Sequence, residues 1–389
     1  MRNAPWWTAA IVMFGCAQGG PGGDPSADVV VGVGSPATPE PDAGPEPATP
    51  DAGFRACDPQ IAAGDGVRIS DTGACPGLLP AKADCAAELT LCSGGTQANG
   101  TTVAGATSDG RGSVVLSCHR ADVGPPLVNA LFLPTQAGFV SKAGLGVDVK
   151  PLADGFVASS GSYLLPPPQY DFLAHDGDLR TEQQGGTLFA SASRAVILRV
   201  EGGQLVAQSF TADGAAAAKA VVGSYAGSAG SLMLGGAMNA AGETLVVWRV
   251  YGDANASARW LASDGTVSTP AFPIAGWSSS VPPTAALAGG AIAVAAEPPS
   301  GVSTLRWRGV IGRGETAERT APSWLASRAG FFLLPGGKAM AFGSEIVGPD
   351  GTLCGTVDLG APLVGVGVDG TVFTARSTRT FRIYPRLFE

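Results

Sequence analysis

One phrase recurs along the chain and limits what it can fold into: a short apolar run, a gap, a second apolar run, then an Asp-Gly step. The clearest copy is GETLVVWRVYGDANASARWLASDGTVSTPAF, residues 242–272. LVVW and SARWLA carry the branched and aromatic residues that strands favour, and Asp264-Gly265 has the chemistry of a tight hairpin turn. A second copy, AIAVAAEPPSGVSTLRWRGVIGRGETAERTAPSW, puts Arg306-Trp307 where the first has Arg259-Trp260, with Gly-Arg-Gly-Glu replacing Asp-Gly. Looser copies turn at Asp176-Gly177, Asp213-Gly214, Asp350-Gly351 and Asp369-Gly370. Most of these turns recur every 37 to 51 residues, a period that suits repeated four-stranded antiparallel units. The shorter step from 350 to 369 predicts a last unit completed by a strand from the N-terminal side.

Composition agrees with strands rather than helices. Charged residues are 14% of the chain, against about 25% in an ordinary soluble protein, and glycine occurs 57 times. The net charge of −8 is concentrated outside the repeats. Residues 17–53 carry six acids (Asp24, Asp28, Glu40, Asp42, Glu46, Asp51) and no Lys, Arg or aromatic residue. The repeats are therefore close to neutral and hold no basic cluster, which argues against a nucleic-acid partner. Proline-rich and acidic, residues 17–53 cannot bury enough apolar surface to offset chain entropy, and are expected to form an extended, disordered tether.

Seven cysteines are present. Five lie between residues 57 and 118 (Cys57, Cys75, Cys85, Cys92, Cys118), and Cys354 stands near the other end. Without Cys16 they number six, which in an oxidising compartment predicts up to three disulfides with the pairing left open. If all six pair, Cys354 must reach back to the N-terminal group and bring the domain's ends together. There is no Cys-x-x-Cys, so neither a zinc site nor any other metal or cofactor is expected, although Cys118-His119 are adjacent.

The remaining cysteine sits at the end of MRNAPWWTAAIVMFGC. Arg2 followed by the mostly apolar stretch 4–15 is too short to span a bilayer and has the layout of an export signal. Met13-Phe14-Gly15-Cys16 resembles the lipobox of bacterial lipoproteins, in which the cysteine becomes the lipidated N-terminus. Met13 and Phe14 depart from the Leu and small residue of that pattern. A cut after Ala17, giving a soluble secreted protein, is the competing reading. The resemblance implies a membrane partner through the lipid, with the outer membrane favoured because Ala17 rather than Asp follows the cysteine.

Over roughly residues 110–389 the repeats resemble a β-propeller. The expected fold is all-β: a propeller of about six or seven blades preceded by a disordered tether, with tandem β-sandwiches as the alternative. An outer-membrane barrel, raised by the aromatic C-terminal stretch FRIYPRLFE, would need longer alternating strands. The expected divisions are a signal at 1–15, lipidated Cys16 and tether at 16–54, a cysteine-rich unit at 55–118 that could be the first blade, and repeats at 119–389. Trp248, Trp260, Trp277, Trp307 and Trp324 are read as inter-blade core rather than a sugar-stacking surface.

Chemistry-bearing residues are few. In QYDFLAHDGDLR, His175 lies near Asp171 and Asp178, a collection that could serve acid–base work on a glycan but also fits a polar hairpin tip. GSAGS at 227–231 lacks the strand-to-helix setting of a hydrolase nucleophile. The Asp-Gly turns lack the Asp-x-Asp-x-Asp spacing of a calcium loop. The leading expectation is a membrane-anchored extracytoplasmic scaffold that binds an envelope protein or a glycan. The alternative is a glycan-active hydrolase or lyase on the same scaffold.

Overall fold

The computed structural model describes residues 67–83, 86–92, 101–120, 128–135, 138–145, 147–159, 169–225, 232–253, 255–274, 284–296, 306–311 and 331–389. The signal, Cys16, the tether, Cys57, Cys85, Trp277, Trp324 and the stretch 227–231 lie outside the described residues. Among the described residues seven sheets form, and every pairing within them is antiparallel. Four take their strands in direct succession, from residues 101–145, 147–184, 187–224 and 232–274. A fifth has three described strands within 284–311. Residues 331–358 and 363–384 supply most of the last two.

The first strands of successive sheets lie side by side. Thr101–Ser108 meets Val147–Leu152, which meets Thr187–Ser191; Leu232–Met238 and Thr284–Ala286 continue the series. Leu287 and Ala293 pack on Met340 to join the fifth sheet to the sixth. Phe331–Leu333 meets Leu363–Val366, and that strand returns to Thr101–Ser108. Seven sheets in cyclic order around their first strands make a seven-bladed β-propeller. The blades are numbered below in this order, and tandem sandwiches do not form.

The N-terminal part of the chain closes the ring twice. In blade 7 the fourth strand is Ala87–Thr90, paired with Thr380–Tyr384 so that Ala87 faces Ile383. Blade 6 has four strands of its own, and Arg68–Asp71 adds a fifth beside Leu353–Asp358. Cys75 is bonded to Cys354 and Cys92 to Cys118. The first bond pins the added strand to blade 6. The second joins the segment leaving blade 7 to the second strand of blade 1, among Val114, Leu116, Phe373 and Phe381. Cys118 is thereby committed to a disulfide, not to a metal. The division at 118/119 falls inside the strand Val114–Arg120.

The repeated phrase proves to be strands two and three of a blade followed by the three-to-four turn. Asp176-Gly177, Asp213-Gly214, Asp264-Gly265 and Asp350-Gly351 all occupy that turn. Asp369-Gly370 does not: it joins strands one and two of blade 7. The short interval before it therefore records a change of turn, while the expected completion from the N-terminal side does occur. The three-to-four turns of blades 3 and 4 each lean on the blade before. At Gly214 (φ 85°) a Cβ would lie 2.7 Å from Thr181 Cγ2 and 2.9 Å from Phe172 Cβ in blade 2. At Gly265 (φ 90°) it would lie 2.2 Å from Ser209 Oγ in blade 3. Both the backbone conformation and the close approach exclude a side chain.

The core is divided among the gaps between blades. Trp248 packs with Val196, Leu198 and Leu205 between blades 3 and 4, and Trp260 with Ile292 and Val294 between blades 4 and 5. Arg306-Trp307 lies on the third strand of blade 5, as Arg259-Trp260 does on that of blade 4. The aromatic C-terminus is likewise internal: Phe381, Tyr384, Leu387 and Phe388 are buried in the closing blades.

Candidate functional site: the axial pocket and the turns around it

All first strands end on one face of the ring, and the turns to the second strands surround the axis there. Backbone hydrogen bonds link these turns across blade boundaries. Val368 N donates to Ser108 O at 2.9 Å, Gly110 N to Leu152 O at 3.4 Å and Ala153 N to Ala192 O at 2.7 Å. Between blades 4 and 5 the side chain takes over, with Asn239 Nδ2 donating to Gly290 O at 2.9 Å. Asn239 is fixed for this by Glu243, whose amide donates to Asn239 Oδ1 at 3.0 Å.

Inside the turns is a cavity of about 220 Å³. Pro151, Ala192, Met238, Ala240, Leu334 and Val366 give it a predominantly apolar wall. Ser191, Asn239 and backbone of Gly336 and Gly367 supply polar points at its edge. A space of this size takes one large apolar side chain, below the usual range for a drug-sized ligand.

Beside one wall stands a group of acids from three neighbouring one-to-two turns: Asp109 in blade 1, Asp154 in blade 2 and Asp369 in blade 7. Asp109 is fully buried. Its Oδ1 accepts from Arg111 N at 3.0 Å and Ser113 N at 2.9 Å, whereas Oδ2 is buried with no partner. Desolvation, reinforced by Asp369 and Asp154, outweighs those two bonds and pushes its pKa up to about 8. Asp369 accepts from Ser108 Oγ, from Thr371 N at 3.0 Å and from Thr371 Oγ1 at 2.8 Å. Burial nevertheless raises its pKa. Asp154 is balanced differently, between Arg111 Nε and Arg180 Nη2, each at 2.6 Å.

The residues singled out in QYDFLAHDGDLR fall at the edge of this arrangement. Asp171 is within the third strand of blade 2, while His175 and Asp178 are on the turn beyond it. Asp176 organises that turn by accepting from Asp178 N at 3.1 Å, which lowers the pKa of Asp176. His175 Nδ1 lies 3.9 Å from Asp154 Oδ1, joining it to the turn network rather than to a pair of its own. Asp109, Asp154 and Arg111 were not distinguishable in the sequence as a group. The available signal was Asp-Gly following a first strand, in SDGRG, LADGF and GVDGT, and it is masked by the commoner Asp-Gly steps elsewhere.

The chain matches no family model and no curated protein. Solved structures with similar folds include one from a structural and mechanistic analysis of two prolyl endopeptidases, at 11% identity and a TM-score of 0.40, covering 70% of this chain and 45% of that one. TolB from Acinetobacter baumannii gives 10% identity and a TM-score of 0.33, covering 73% and 63%. A protein of unknown function from Bacteroides caccae gives 12% and 0.33, covering 66% and 93%. The chain thus spans about half the length of the first structure and under two thirds of TolB. Likeness at this level assigns no activity, and the architecture rests on the sheet order itself.

Proposed function

We propose that this protein is an extracytoplasmic binding scaffold, tethered to the cell envelope through a lipid on Cys16, whose propeller receives an apolar side chain of an envelope protein in its axial pocket. The observation that carries this reading is the pocket: an apolar, side-chain-sized cavity framed by turns that hold one another in place. Preorganised turns reduce the ordering cost of binding, so a single buried anchor can dominate affinity. The two disulfides fit an oxidising compartment. Among the described residues no helix is long and apolar enough to cross a membrane. A protein segment suits the apolar wall better than a glycan, which needs polar partners along its length.

The test is a mild-crosslinking pull-down of the full-length protein from its native envelope, with the N-terminal mass determined in parallel. The wild type is expected to bring down a defined envelope protein and to carry diacylglycerol-modified Cys16. Ala192→Phe, which fills the pocket, should lose that protein by at least tenfold while keeping its melting temperature. Cys16→Ser should leave the membrane fraction. Equal capture by wild type and Ala192→Phe would overturn the pocket as the binding site.

A further inference from the structure

The group formed by Asp109, Asp154 and Asp369 has no part in an apolar binding pocket, yet it lies on the seam where the last blade meets the first. Three one-to-two turns converge there. The blade 7 turn is bonded to that of blade 1 through Val368 N and Ser108 O, and the blade 1 turn to blade 2 through Gly110 N and Leu152 O. Gly367 packs so closely on Ser108 that a Cβ would fall 1.6 Å from its Oγ. Asp109 is sealed between these contacts with a bare Oδ2, and Ser113 Oγ beside it on the same turn is also buried without a partner.

The charged groups around it do not neutralise an ionised Asp109. From its own turn, Arg111 is turned outward onto Asp154, at 2.6 Å. Blade 2 presents Asp154, already engaged by Arg180, with His175 behind it. Blade 7 presents another acid, Asp369, with Arg386 acting on Asp369. An ionised carboxylate with an unsolvated oxygen and two neighbouring acids is strongly disfavoured, whereas the protonated carboxyl is a neutral group of the same shape.

We propose that this seam is a proton-operated latch: Asp109 is protonated in the closed ring, and its ionisation parts the turns of blades 7, 1 and 2 to let water reach Oδ2. Gly367 and Val368 on the blade 7 turn, Val366 on the strand entering it and Pro151 on the strand entering the blade 2 turn all line the axial pocket. The latch therefore reshapes one wall of the pocket. It does not depend on what the pocket binds. With its pKa raised from 3.8 to about 8 in the closed ring, Asp109 holds the seam less firmly as pH rises, and the loss is complete above about pH 8.

Amide hydrogen exchange on the purified protein, read as protection factors from pH 6 to 9.5, tests the latch. Protection of Gly110 and Val368 is expected to fall at least tenfold through about pH 8. Gly242, whose amide bonds Asn239 O within the blade 4 turn, should hold its protection throughout. Asp109→Asn, a neutral match for the protonated carboxyl, should keep the seam amides protected at all these values. Level protection at Gly110 and Val368 in the wild type, a fall shared equally by Gly242, or a fall that persists in Asp109→Asn would each overturn the proposal. The wild-type comparison decides the matter even where the variant does not fold.

Discussion

Gly265 combines two constraints that a single substitution can separate. Its φ of 90° disfavours any side chain, and a Cβ there would also strike Ser209 Oγ at 2.2 Å. Gly252 has a similar φ of 97° with nothing within 4 Å of the same position. Gly252→Ala should therefore cost only the left-handed backbone, about 1–2 kcal/mol. Gly265→Ala should cost roughly twice that, because blade 4 must also lift from blade 3. Urea unfolding of the two variants measures the difference, and equal losses would mean that the turn does not bear on its neighbour. Trp260, 1% exposed at the gap between blades 4 and 5, should cost about 3–5 kcal/mol when replaced by alanine. Titration gives a further residue-scale expectation. The folded pKa of Asp109 is raised from 3.8 to about 8, so the folded chain holds that proton more tightly than the unfolded one. Its contribution is complete below about pH 4 and is lost as pH rises through 8, at up to about 1.4 kcal/mol per pH unit. Asp213, Asp264 and Asp350 run the other way: the neighbouring Thr hydroxyls at their turns lower their pKa values, and their help is lost as pH falls below the ordinary carboxylate range. The melting temperature should peak in moderately acid solution and decline toward pH 8, a decline that Asp109→Asn abolishes.

At the scale of strands and cross-links, the ring depends on two short strands from the N-terminal side, and each is secured by its own disulfide. Cys75–Cys354 closes a span of 279 residues and Cys92–Cys118 one of 26. By chain entropy alone the first should contribute about 5.6 kcal/mol and the second about 3.5 kcal/mol. Replacing Cys75 and Cys354 by serine should thus lower the melting temperature more than replacing Cys92 and Cys118, as calorimetry under identical conditions can determine. A larger loss for the shorter span would show that joining blade 7 to blade 1 outweighs loop length. Much of this closure was readable beforehand. LVVW, SARWLA and the Asp-Gly step after them specify two strands and their turn through local chemistry, and if all six cysteines pair, Cys354 has to reach backward. Which turn an Asp-Gly step makes is another matter. Asp369-Gly370 and Asp350-Gly351 have the same turn chemistry, and only the order of strands in the sheet separates them. The acid group was hidden for a related reason. Asp109, Asp154 and Asp369 are brought together by the ring itself, so no spacing along the chain marks them, and the burial that distinguishes Asp109 from Asp264 is a property of the neighbouring blades.

For the whole molecule, the proposed binding is concentrated at one end of the propeller. One end gathers the described one-to-two turns, short and cross-linked by hydrogen bonds, around a pocket whose wall is apolar. Such a surface holds its shape between encounters and gives a partner one place to anchor. In the proposed reading, the acidic, proline-rich tether supplies reach from the membrane, and the disulfides keep the ring shut outside the cytoplasm. The proton latch at the seam adds a means of altering the pocket without unfolding the blades. A photo-crosslinking residue at Ser191, at the pocket's edge, tests the central claim most directly when carried by the full-length protein in its native envelope. A discrete adduct with an envelope protein from Ser191, absent when the same probe replaces Lys219 on the outer strand of blade 3, is the predicted result. No adduct from Ser191, or the same adduct from both positions, would contradict it.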